Sequence, residues 1–237
     1  MKKLLAIIFV LGLMIPSVSF GAIIFDAATS GSSAAGQTTY NLANTVTSTA
    51  NTILFVGAMN ATDSTDDITS VTSTVGTLTR LGTVVTTGRF LALYVITGLN
   101  SGAQSITMNT SAGHQLDMAI WSYAGAKQSV SASDFVLASS TGSGALWAQA
   151  ITTAVNNSWV SSVSRFNSAT AAGASTTQRI AQTNYTGVYD SSLSPITPAG
   201  SVTVNVTGGA VDYGGIAVAF KPFGVDDGVN MKIIWWD

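Results

Sequence analysis

Neither cysteine nor glutamate occurs in these 237 residues, and histidine occurs once. Without cysteine there is no disulfide staple, and no thiolate to attack a substrate or complete a zinc site. The absence also excludes the lipid anchor that bacteria attach to a cysteine placed directly after a cleaved leader. Every carboxylate side chain is one of eleven aspartates, so paired-carboxylate glycoside hydrolysis has only Asp–Asp pairs to draw on. The lone histidine, His114, has Asp117 as its nearest acid. Residues three apart on a strand point to opposite faces, so these two are not placed as base and orienter. There is no Gly-x-Ser-x-Gly elbow. The chain reads as a non-enzyme.

Charge is equally scarce. Asp, Glu, Lys and Arg make up 8% of the residues, where about 25% is usual. The net charge of −2 becomes −4 if Lys2 and Lys3 leave with a leader, since 9 basic residues then fall to 7 against 11 acidic ones. No basic cluster marks a nucleic-acid footprint. With 46% hydrophobic residues the chain has the makings of a core rather than of disorder. Its surface has to be neutral and hydroxyl-rich.

The first 21 residues have the build of a bacterial export signal. Lys2-Lys3 precede an apolar run over residues 4–15, Pro16-Ser17 break it, and Ser19 and Gly21 are small. Cleavage before Ala22 follows from that pattern. The apolar run of 12 residues is short of the roughly 20 that a spanning helix needs. The mature chain is therefore expected to be secreted, periplasmic or on the cell surface, with no transmembrane helix.

After the leader the pattern is that of short strands. Tyr40, Leu42 and Val46 alternate with polar residues, and residues 53–58 form an apolar run suited to a central strand. Residues 78–85 and 90–96 flank Thr86-Thr87-Gly88 and read as a hairpin. Further strands are expected around Ile106 and Met108, over 116–123 and over 159–166. Two more are expected, one on Val202, Val204 and Val206, the other over 214–220. Stretches rich in Ser, Thr and Gly, at 29–33 and 139–144, read as loops. The expectation is an all-β, antiparallel β-sandwich, jelly-roll-like, in a single domain over residues 22–223. Residues 224–237 form a tail whose segment 231–236 could add an edge strand, closing its own sheet or pairing with another copy in a homo-oligomer. A membrane β-barrel would also alternate, but the strands lack even length and aromatic girdles.

Several segments resemble a family of uncharacterised β-sandwich modules, jelly-roll or lectin-like, found in secreted bacterial proteins and in phage structural or tail-associated proteins. The resemblance lies in residues 71–85 with Thr77-Leu78-Thr79-Arg80, in 93–106, 118–125 and 214–222, and in the opening Phe25-Asp26-Ala27-Ala28. It implies the fold and carries no catalytic residue.

Two features could hold a ligand. Asp63-Ser64-Thr65-Asp66-Asp67 gathers three carboxylates in one loop, a hard-oxygen set that suits calcium, and is otherwise a solvated turn. No other cofactor is indicated. Trp147, Trp235 and Trp236 could stack on sugar rings if exposed. The expected function is an adhesion or binding module for a carbohydrate or cell-surface polymer. The alternative is a structural subunit of a surface or virion-like assembly that uses its C-terminal strand.

Overall fold

The computed structural model describes residues 22–48, 51–166, 168–181 and 186–224. The leader and the segment 231–236 lie outside them. Among the described residues the only helical piece is one 3₁₀ turn, Ala132–Asp134, and no helix is long and apolar enough to cross a membrane.

The first nine strands are β1 (Ile24–Ser32), β2 (Gln37–Val46), β3 (Thr52–Asn60), β4 (Ile68–Ser73), β5 (Gly76–Thr77), β6 (Thr79–Thr86), β7 (Arg89–Leu99), β8 (Gly102–His114) and β9 (Leu116–Ala124). They build two sheets, ordered β1-β9-β3-β7-β6 and β2-β8-β4-β5. The antiparallel pairs β1·β9, β2·β8, β3·β7 and β4·β5 fold the chain back on itself as one long ribbon. Wrapped into two sheets, that ribbon is a jelly roll. The roll is complete by Ala124, and β6 is an extra edge strand beside β7.

The rest of the chain adds a third sheet, ordered β10-β15-β11-β14-β13, with β12 paired to β15. Its strands are β10 (Phe135–Thr152), β11 (Trp159–Phe166), β12 (Ala171–Ala172), β13 (Thr177–Ala181), β14 (Thr186–Asp190) and β15 (Ser201–Phe220). Among the described residues all three sheets are open-ended. The sheet of β1, β9, β3, β7 and β6 becomes the middle layer. In β3, β7 and β9 the odd-numbered side chains, Phe55, Leu93 and Trp121 among them, face the third sheet. The even-numbered ones, such as Val56, Ala92 and Ile120, face the β2-β8-β4-β5 sheet. Burial on both faces explains why residues 53–59 of β3 read as an unbroken apolar run and why β9 is buried along its whole length. Gly57 sits at the middle of the first interface, where a Cβ would come within 2.6 Å of Val163.

The two longest strands, β10 and β15, bend. Their register shifts between Gly144 and Leu146, and the far half folds over the outer face of the third sheet. Trp147, Ile151, Val204 and Val206 from the far half thereby pack with Val160, Phe166, Tyr189 and Ala217.

Two expected loops are strands instead. Residues 29–32 pair with β9, and 139–144 lie in the middle of β10. Both are in edge strands, which need little apolar content to be stable. The runs at 202–206 and 214–220 belong to one 20-residue strand, β15, joined through Gly208-Gly209 at the bend.

Candidate functional site

The acidic loop between β3 and β4 keeps only part of its expected arrangement. Asp66 is turned away and held by both terminal nitrogens of Arg80. Asp63 accepts from the backbone N–H and the hydroxyl of Thr65, each at 3.1 Å, in an Asx turn. Those bonds hold its carboxyl below the ordinary range. Asp67 meets a residue that sequence reasoning set aside: His114 Nε2 lies 2.8 Å from its carboxylate, and Ser111 donates to its other oxygen at 3.1 Å. Asp63, Asp67 and His114 bring their ligand atoms within 4.8 Å of one another, so these three, and not Asp66, could hold a cation. Each is already engaged within the chain, since the second ring nitrogen of His114 faces Thr62 at 3.2 Å. No spacing in the sequence could have revealed this pair, because Asp67 and His114 are 47 residues apart.

The tryptophans do not offer the expected platform. Trp147 is not in a loop but in β10, fully buried, with its indole N–H donating to Ser140 Oγ at 3.0 Å. Its ring presses on Gly215, where a Cβ would stand 2.5 Å from it. Trp121 and Trp159 are also buried. Trp235 and Trp236 lie outside the described residues. Among the described residues, then, no tryptophan faces solvent to stack on a sugar.

Charged groups sit at one end of the interface between the middle and third sheets. Arg165 is buried, donates to Thr86 Oγ1 at 2.8 Å, and is pulled down to about 10 by burial and then by Arg89. Asp117 is fully buried on β9, and burial pushes its carboxyl up to about 6 against the pull of Ser32 and Arg89. A raised folded-state pKa means the folded chain binds this proton more tightly than the unfolded one. The contribution of Asp117 to stability is therefore most favourable below about pH 4 and falls as pH rises towards 6. The full cost, about 3 kcal/mol, applies above that. Asp117→Asn is expected to recover most of it at pH 8 and nothing at pH 4, read from urea unfolding across pH. Parallel pH curves for the two proteins would show the carboxylate to be harmless.

The remaining feature is an open side. In the third sheet β10 is an edge strand, and among the described residues it pairs with β15 alone. It runs 18 residues without a single Asp, Glu, Lys, Arg or Pro. Exposed on it are Leu146 (50%), Leu137 (38%) and Val136 (36%). The edge strand of the middle layer, β6, packs alongside, with Leu137 against Gly82. Between them opens a polar notch of about 350 Å³, lined by Thr86, Thr87, Thr141, Ser143, Asp212 and Tyr213. Nothing in the composition of β10 distinguished this edge from a loop, so sequence reasoning missed it.

No family model and no curated protein matches this chain. Among the solved structures similar at low level are two viral proteins. One is a chain from the triple jelly roll fold and turret assembly of an archaeal virus, at 13% identity, covering 87% of this chain and 61% of that one, with a TM-score of 0.24. The other is the major capsid protein P2 of bacteriophage PM2, at 9% identity, covering 87% and 99%, also with a TM-score of 0.24. Scores at that level bear neither on fold nor on function, and the jelly-roll assignment comes from the strand order.

Proposed function

We propose that the protein is a non-enzymatic structural subunit, exported and built into a surface or virion-like assembly through its sheet edges. The observation that carries this reading is the long, uncharged, proline-free edge of β10. Proteins that work as monomers blunt such edges with charge, proline or a covering element, because an open row of N–H and C=O groups invites another strand. In an assembly the same row is covered. The low charge of the whole chain agrees, since copies packed side by side repel one another little. The glycan-binding reading has lost Trp147 as its described platform, which leaves assembly the better supported of the two. Electron microscopy of concentrated residues 22–237 tests the proposal. Regular particles, filaments or layers are the expected result; a field of separate monomer-sized particles at every concentration would refute it.

A further inference from the structure

We infer that β10 pairs antiparallel with the β10 of a second copy across a two-fold axis, joining two third sheets into one continuous sheet; this rests on the assembly reading above. Among the described residues nothing pairs with the outer side of β10, so whatever covers it has to bring an extended backbone of its own. The strand itself is the best match to that need. It carries no charge to oppose its own image and no proline to interrupt the ladder. The other edges of the molecule are less suited to self-pairing. Asp26 lies in β1, Arg80 in β6 and Arg179 in β13, while β2, uncharged as β10 is, exposes no large apolar side chain.

Before the register shift at Gly144, ten residues from Phe135 run in unbroken register along β15, about 30 Å of strand at 3.3 Å per residue. That is ample for an inter-copy ladder. Antiparallel self-pairing sets the exposed hydroxyls of Ser139, Thr141 and Ser143 opposite one another and removes Val136 and Leu137 from water on both copies. A patch that meets its own image closes as a dimer rather than growing without limit. Larger assemblies then need a second contact elsewhere.

The natural absence of cysteine makes the test clean, because a single introduced thiol can bridge only to another copy. Leu137→Cys, Ser139→Cys, Thr141→Cys and Ser143→Cys are made one at a time, with Ser105→Cys, on the far sheet, as control. Facing residues of an antiparallel pair lie within disulfide range. Mild oxidation is expected to link one or two adjacent β10 positions nearly completely into dimers, with linkage falling away on either side. The control should stay monomeric on a denaturing gel. The double variant Ser139→Lys with Thr141→Lys, checked for folding by circular dichroism, is expected to halve the mass measured by light scattering. No β10 position linking above the control, or a double variant of unchanged mass, overturns the two-fold pairing. If the unmodified chain is then still multimeric, the assembly reading survives; if it is monomeric, both fall.

Discussion

Trp147→Ala is expected to lower the unfolding free energy by about 3–5 kcal/mol, the range for deleting a large buried aromatic. Trp147 holds the folded-back half of β10 and β15 against the third sheet. Its ring lies on Gly215, its N–H is used by Ser140, and its neighbours are Ile151, Val204 and Phe166. The loss should be felt locally as well as globally. Amide exchange across 146–152 and 201–207 should quicken more than in β3 or β9, which lie in the twice-covered middle sheet. Urea unfolding with hydrogen exchange checks both. A cost under about 1 kcal/mol would mean that the bent ribbon is held by something other than this side chain.

The second large effect concerns the joint between the jelly roll and the third sheet. Asp190 is wholly buried and accepts from Arg179 Nε at 2.6 Å. The Tyr123 hydroxyl, reaching across from β9, donates to its other oxygen, with Ser161 2.9 Å from that hydroxyl. Burial pushes the Asp190 carboxyl up, opposed by Tyr123 and Arg179. Arg179 in turn stacks over Phe25 at 4.3 Å. Asp190→Ala leaves a mostly buried guanidinium and a buried phenol without their shared acceptor, and is expected to cost about 3–5 kcal/mol. Replacing both members, Asp190→Leu with Arg179→Met, should cost clearly less, because two apolar groups leave no charge stranded. A double variant as unstable as the single one would show that the network acts through shape and not through charge.

Much of the jelly roll was legible because its strands obey simple rules. Tyr40, Leu42 and Val46 alternate because β2 has one wet face, and residues 53–58 are solidly apolar because β3 has none. The hairpin of β6 and β7 announced itself through Thr87-Gly88, where Gly88 takes a φ of 68°. What escaped was whatever depends on an edge or on distance along the chain. Residues 139–144 look like a loop because small Ser, Thr and Gly side chains fill both the exposed positions and the half-buried ones that alternate with them. Trp147, just beyond a Ser/Gly stretch, gave no hint of the core that the bend creates for it. His114 and Asp67 come together only because the end of β8 lies beside the loop that leads into β4.

On the assembly reading, this chain associates with copies of itself. Sedimentation velocity on residues 22–237, run over a wide range of concentration and at physiological salt, addresses it most directly. A dimer or larger species that gains weight with concentration, and whose mass Ser139→Lys with Thr141→Lys halves, is the predicted result. A single monomeric boundary at every concentration for the unmodified chain would contradict it.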